Sequence, residues 1–170
     1  TPLDHTLIAA HQIVDDFRKK NPVQKLNVIV LTDGESHSCR PSEVWSASKF
    51  FTNLGGKQRT IKQHKSTQQY VKLLNEVKGV NTIGFFLPNH KRDGNRHLNR
   101  MAAHQWGQGK AYEKTGDYMK KYRKDNYIHM SDCFGYDSYF LLSSNVEIED
   151  EDFDFSKTEG KNISENRGEQ

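Results

Sequence analysis

The sequence predicts an α/β fold with a doubly wound, mainly parallel sheet. Three observations lead to this prediction: an amphipathic segment over 3–20, the aliphatic run 26–31 that follows it, and a helix–glycine–strand pattern over 66–87. An aliphatic run without polar alternation is typical of a strand that is buried on both faces. A strand, a helix and a second strand in this order form the crossover unit that pairs strands in parallel.

The first predicted helix covers 3–20. Its apolar residues recur at helical spacing, and they are Leu3, Leu7, Ala10, Val14 and Phe17. Thr1 is placed as the N-cap, Pro2 as the first helical residue, and Asp4 as the partner that reaches back in a capping box. Asn21-Pro22 ends the helix, and the chain then enters the predicted strand 26–31.

The later elements are assigned from caps, turns and periodicity. Predicted helices cover 41–54, 66–78 and 96–106, and predicted strands cover 80–87, 127–130 and 138–142. Between them lie a polar connector at 57–65, a loop at 88–95 and a glycine-broken basic insert at about 107–126; a turn at Gly135-Tyr136-Asp137 joins the last two strands. Residues 1–145 are therefore expected to form the domain, and the acidic, polar tail 146–170 is expected to be disordered.

The composition fits one domain with a modest core. The chain has 170 residues, of which only 34% are hydrophobic, so part of the core of a doubly wound fold is expected to come from elsewhere. Cys39 and Cys133 lie far apart and are interpreted as reduced thiols. No segment resembles a signal peptide or is long enough to span a membrane, so a cytoplasmic protein without a membrane partner is expected.

Two short motifs carry a family resemblance. Thr1-Pro2-Leu3 at a helix start, followed by Leu31-Thr32-Asp33-Gly34 at a strand end, resembles the second half of a von Willebrand factor type A (vWA) domain. The resemblance extends to about Ser144 and implies a Rossmann-like fold. In that family an Asp-x-Ser-x-Ser loop, a threonine and a later aspartate form a metal-ion-dependent adhesion site. By resemblance, Thr1 matches the threonine and Asp33 matches the later aspartate.

The resemblance implies a divalent cation, Mg²⁺ or alternatively Mn²⁺ or Ca²⁺, held by hydroxyl and carboxylate oxygens, with an open position for an acidic ligand from a partner. No Asp-x-Ser-x-Ser segment occurs in the sequence. We therefore expect an N-terminally incomplete domain: a fragment, a processed or spliced product, or one part of a split gene. Thr1 and Asp33 alone supply too few ligands, so cation binding is expected only when the missing loop is supplied. The polar residues after Asp33 are interpreted as an ordinary loop, namely Glu35, Ser36, His37 and Ser38.

The eight histidines do not form a recognisable zinc motif. His97 and His104 are seven residues apart and can share a helix face, but neither His-Glu-x-x-His nor Cys-x-x-Cys occurs. We interpret the histidines as surface or half-buried residues. The sequence also lacks a nucleophile elbow, a phosphate-binding loop and a dinucleotide fingerprint, so a non-enzymatic protein is expected.

The basic insert has two interpretations. Lysines and arginines alternate with Tyr112, Tyr118 and Tyr122 over 110–124, a pattern that can bind nucleic acid through phosphate contacts and base stacking. A solvated helix that presents its tyrosines to the core explains the same pattern. The second interpretation is favoured because the net charge of the chain is only +3.

The functional prediction follows from the resemblance. Among intracellular members of the family, the chain is similar to bacterial and phage proteins that resemble the cobaltochelatase subunit of cobalamin biosynthesis; the phage association rests on 74–86 and 135–140. This implies a protein-interaction module beside a MoxR-type AAA+ ATPase in a bacterial or phage-infected cell. The alternative is a phage nucleic-acid-binding or virion-associated protein that uses the basic insert.

Overall fold

The structure is a computed structural model that describes residues 2–34, 49–52, 54 and 58–144. In chain order its elements are α1 (Leu3–Lys20), β1 (Leu26–Thr32), β2 (Lys49–Thr52), β3 (Arg59–Lys62), α2 (Ser66–Asn75), β4 (Val80–Phe86), α3 (Lys91–Trp106), α4 (Gln108–Asp125), β5 (Tyr127–Cys133) and β6 (Tyr136–Leu142). A short 3-10 helix, Gln63–Lys65, precedes α2.

Four strands form an open, mainly parallel sheet in the order β1-β4-β6-β5. β1 and β4 pair in parallel, as do β4 and β6, whereas β5 joins β6 as an antiparallel hairpin. The predicted α/β class and the predicted parallel pairing of the two aliphatic strands are confirmed. Helix α2 lies between these strands in sequence, so β1, α2 and β4 form the expected crossover.

The predictions for 49–52 and 59–62 are wrong. Lys49–Thr52 is a strand that pairs antiparallel with Arg59–Lys62, so the predicted helix does not extend through it and the predicted connector contains a strand. Residues 41–48 lie outside the described residues. The two strands are rich in aromatic and β-branched residues, and Ile61 is fully buried in the core. Cross-strand pairing of such residues outweighs a weak helical periodicity.

The chain between 88 and 126 is more helical than predicted. α3 begins at Lys91, within the predicted loop, and the glycine-broken insert is the continuous helix α4. A glycine inside a helix costs only about 1 kcal/mol, which tertiary packing can offset. Here Tyr122 is buried, and Tyr118 packs against Trp106 with ring centroids 4.8 Å apart. The favoured interpretation of the insert, a solvated helix that presents its tyrosines to the core, therefore holds for Tyr118 and Tyr122.

The sheet is covered on one face. Alternate residues of all four strands are buried or half-buried on that face, where the described helices pack, and include Val30, Thr82, Phe86, Ile128, Met130 and Leu141. On the opposite face, Ile29 is 62% exposed and Leu31 is 66% exposed. The described helices thus do not cover both faces of the sheet, and the expectation that β1 is buried on both faces is wrong. The reason is that the described helices pack on the other face, so the side chains of Ile29 and Leu31 meet solvent.

We call this uncovered surface the open face, formed by alternate residues of the four strands: Asn27, Ile29, Leu31, Ile83, Phe85, Phe140, His129 and Tyr127. Its centre is aromatic, because Phe140 stacks on Phe85 at 4.9 Å and on His129 at 4.6 Å between ring centroids. Exposed aliphatic side chains on β1 extend this aromatic centre to the edge of the sheet. An apolar surface of this kind marks an interaction site or an aggregation hazard.

Replacing Ile29 and Leu31 together with lysine is expected to raise solubility and to change the free energy of unfolding by less than about 1 kcal/mol, since both side chains are exposed. Thermal unfolding and the saturation concentration of the full chain measure the two effects. The matched core substitution Leu74→Ala, at a fully buried position, is expected to cost about 2–5 kcal/mol. A double-lysine variant as unstable as Leu74→Ala would show that the open face is buried in solution.

Candidate functional site

Asp33 follows directly after β1, at the carboxyl end of this strand. Its side chain is exposed beside a shallow depression lined by Leu31, Thr32 and Leu87. The preceding hydroxyl fixes the turn, because Thr32 Oγ1 donates to the carbonyl oxygen of Gly34 at 2.8 Å and accepts from its N–H at 3.2 Å. The carboxyl ends of parallel strands are where open α/β sheets bind ligands. Asp33 is therefore positioned for an interaction at the edge of the sheet.

Thr1, the second predicted ligand, lies outside the described residues. Leu3, at the start of α1, and Gly34, after β1, both line the larger cleft described below.

No group of three or more histidine, cysteine, aspartate or glutamate side chains suited to a metal occurs among the described residues. Of the described residues next to Asp33, Thr32 carries a hydroxyl that bonds to Gly34. Hard divalent cations take six or more oxygen ligands, so Asp33 would need further ligands from groups beyond those described.

A larger cleft opens between the sheet, α3 and the start of α2. Its volume is about 530 Å³, within the range of small-molecule sites. Its apolar and aromatic floor is formed by Leu3, Phe86, Phe134, Tyr136 and Tyr139. Its polar rim comes from two segments, 63–68 and the α3 residues His97, Arg100 and His104. We refer to it as the α2–α3 cleft.

Hydrogen bonds to the Asp4 carboxylate connect the start of α1 to the start of α2. The Ser66 hydroxyl donates to Asp4 Oδ2 at 2.5 Å, and the Thr67 hydroxyl donates to Oδ1. Asp4 is completely buried, so these charge-assisted hydrogen bonds form away from water, where they are strong. The predicted capping role toward Thr1 lies outside the described residues, whereas the described partners of Asp4 belong to another helix. The sequence signal for them was the Ser-Thr pair at the start of α2.

His97 lies at the back of the cleft and is only 7% exposed. Its ring stacks on Phe86, with centroids 3.9 Å apart and planes within 2°, and its Nε2 is hydrogen-bonded to the Tyr139 hydroxyl at 2.9 Å. Burial lowers the pKa of His97 to about 4, so the imidazole is neutral at pH 7. Nδ1 is buried and has no hydrogen-bond partner in the described part of the chain.

The histidine predictions are partly corrected. His97 and His104 do share a helix face, since both rings contact Phe134. His97 and His11 are buried, however, and not surface or half-buried residues. Both follow the apolar periodicity of their helices, and this was the signal in the sequence. Of the two cysteines, Cys133 is a free, buried thiol whose pKa burial raises to about 12, while Cys39 lies outside the described residues.

The β5–β6 turn brings an aromatic ring to the cleft at a conformational cost. Phe134 and Gly135 form a two-residue connection in which both φ angles are positive, 53° and 91°. Hairpins of this type favour asparagine and glycine, and a bulky residue at positive φ is uncommon. A Cβ atom at Gly135 would also lie 2.5 Å from the carbonyl oxygen of Gln68, so the turn packs tightly on α2.

Taken together, the fold and these sites define an open-sheet α/β protein with an acidic group at the carboxyl end of its edge strand and a separate aromatic, basic cleft. A search of protein families, curated proteins and solved structures finds no match to the chain. Among the described residues, no helix is long and apolar enough to cross a membrane.

Removing the Asp4 carboxylate is expected to destabilise the fold. Asp4→Ala leaves the buried Ser66 hydroxyl without its acceptor, and hydrogen bonds to a charged group contribute about 1.5–3 kcal/mol each. We expect a loss of about 3 kcal/mol or more in the free energy of unfolding, measured by urea denaturation. The control Asp16→Ala removes an exposed carboxylate of the same helix and should change stability by less than about 0.5 kcal/mol. Equal effects of the two substitutions would contradict the role assigned to Asp4.

The fold should lose stability in mild acid. The pKa of His97 is lowered from 6.5 to about 4 in the folded chain, so the unfolded chain binds more protons between these values. The neutral His97 ring makes its whole contribution to the free energy of unfolding above pH 6.5. This contribution decreases as the pH falls toward 4, by up to about 3 kcal/mol. Urea denaturation at pH 7, 6 and 5 measures the slope. His97→Gln, which cannot titrate, should flatten it, and an unchanged slope would exclude His97 as its source.

Proposed function

We propose that the chain is a non-enzymatic protein-interaction module, the second half of a vWA-like domain whose remaining half is supplied by another polypeptide segment. The observation that carries this proposal is the exposed apolar edge strand with Asp33 at its carboxyl end. β1 has the unalternating aliphatic sequence of a strand covered on both faces, yet Ile29 and Leu31 are exposed. Both its free edge and its open face are suited to a further strand and its helices.

The proposed partner segment would add a strand parallel to β1 and place an Asp-x-Ser-x-Ser loop beside Asp33. Hydroxyl and carboxylate groups from that loop would complete a site for Mg²⁺ or Mn²⁺ with Thr1 and Asp33. Leu3, near Thr1, and Gly34, next to Asp33, line the same cleft, which supports this arrangement. The completed site would leave a position for an acidic side chain of a partner, which we propose to be a MoxR-type AAA+ ATPase.

The nucleic-acid alternative has less support. Base stacking requires accessible aromatic rings, whereas Tyr122 is buried and its hydroxyl donates to the carbonyl oxygen of Leu142 at 2.9 Å. Tyr118 packs against Trp106. The basic side chains of α4 would then contact phosphates without help from these two rings.

The proposal predicts a specific neighbour for the open face. A photo-crosslinking amino acid at position 31 should capture a polypeptide that contains an apolar strand and an Asp-x-Ser-x-Ser loop, identified by mass spectrometry from the native host. The same probe at exposed Lys121, on α4, is the matched control and should not capture it. Capture of the same products from both positions, or capture only of a second copy of this chain, would contradict the proposal.

Cation dependence tests the role of Asp33. In calorimetry, the isolated chain should show no micromolar binding of Mg²⁺ or Mn²⁺, because too few ligands are present. In the reconstituted complex, Asp33→Ala should weaken cation binding and capture of the ATPase at least about tenfold, while the exposed α4 control Asp117→Ala should not. Micromolar binding by the isolated chain, or salt-sensitive DNA binding that ignores Asp33, would overturn the proposal.

A further inference from the structure

We propose that the α2–α3 cleft is a binding site for a small organic phosphate, whose planar body lies on the aromatic floor and whose phosphate lies against Lys65, Arg100 and the start of α2. The site uses neither Thr1 nor Asp33, although Gly34, the neighbour of Asp33, lines the same cleft.

Phe134 is the half-buried ring of the floor, and it meets both His97 and Tyr139 edge-on, with centroids 5.5 Å and 5.3 Å apart. His97 and Phe86 are buried and stack on each other with centroids 3.9 Å apart. Aromatic rings prefer stacked and edge-to-face neighbours, and a planar heterocycle can adopt either arrangement against Phe134. The volume of about 530 Å³ suits one such ring system with its phosphate.

The rim carries basic side chains. Lys65, Arg100, His64 and His104 line the cleft, and no aspartate or glutamate belongs to its described lining. Burial lowers the pKa of His104, and Lys72 and Lys65 lower it further. Asp4 lies behind the lining, where its two oxygens already accept hydrogen bonds from Ser66 and Thr67.

The start of α2 adds a helix dipole to these cations. Helix α2 has ten residues and follows the 3-10 helix Gln63–Lys65 directly; the side chain of Lys65 makes no cap, and the Ser66 N–H donates to the carbonyl oxygen of Gln63. Ser66, Thr67 and Gln68 of its first turn line the cleft. Backbone N–H groups and the helix dipole at such an end favour a phosphate group.

Two unfavourable features of the free protein are consistent with a ligand in the cleft. Nδ1 of His97 is a buried polar atom without a partner in the described chain, which costs free energy unless a polar group reaches it. Phe134 has a positive φ of 53°, and its ring lines the floor of the cleft. Strained aromatic residues of this kind concentrate at sites where they contact a ligand.

Adenosine monophosphate, adenosine and inorganic phosphate are suitable probes, titrated into the full chain in the Ile29→Lys/Leu31→Lys background for solubility. We expect saturable binding of adenosine monophosphate at least about tenfold tighter than that of either component. In ¹⁵N-labelled protein, the imidazole nitrogens of His97 should shift on binding. Saturation by none of the three probes at millimolar concentration would overturn the proposal.

Variants separate the two halves of the site. Phe134→Asn creates the asparagine–glycine pair that this turn favours, so the fold should persist while binding of adenosine monophosphate falls at least about fivefold and that of phosphate does not change. Lys65→Gln/Arg100→Gln should weaken adenosine monophosphate and phosphate but not adenosine. Lys121→Gln and Asp33→Ala should change none of these affinities. Binding that survives both cleft variants would place the ligand elsewhere and contradict the assignment.

Discussion

The buried carboxylate of Asp4 is the constraint on which the arrangement of helices depends. Its hydrogen bonds to Ser66 and Thr67 join two helix starts that are separated by 62 and 63 positions in sequence. A buried charge is tolerated only when its partners are held in place, so α1 and α2 must keep one relative position. That position sets the wall of the α2–α3 cleft, because Leu3 precedes Asp4 and Gln68 follows Thr67 in the lining.

The one-sided covering of the sheet gives the two candidate sites different surroundings. On the helical face, side chains from α2, α3 and the β5–β6 turn enclose a cleft with aromatic and basic groups. On the other face and along β1, apolar side chains meet solvent and Asp33 stands at the end of the strand. The first site is built by contacts within the described chain, while the second has one acidic group and a surface to which other groups can be added. The α2–α3 cleft is therefore suited to binding a small ligand, and the open face with Asp33 is suited to association with another polypeptide.

The sequence was sufficient for elements whose signals are local. α1, β1, α2 and β4 were predicted because their periodicity and end signals lie within each segment, and their order fixed the parallel crossover. The β2–β3 pair was missed because its stability comes from pairing between residues such as Phe50 and Ile61. The partners of Asp4 and the neutral, buried state of His97 depend on distant segments. The exposure of Leu31 could not be predicted from the sequence either, because an aliphatic run has the same sequence whether one face of the strand or both are covered.

The Phe134-Gly135 turn implies a conflict between stability and recognition at a single position. Asparagine at position 134 suits the backbone better than phenylalanine does, whereas only an aromatic ring contacts His97, His104 and Tyr139 together. A library selected for thermostability alone would therefore drift toward asparagine there and lose the ring. A library selected for ligand capture would retain phenylalanine, so the residue recovered at position 134 would record which property had been under selection.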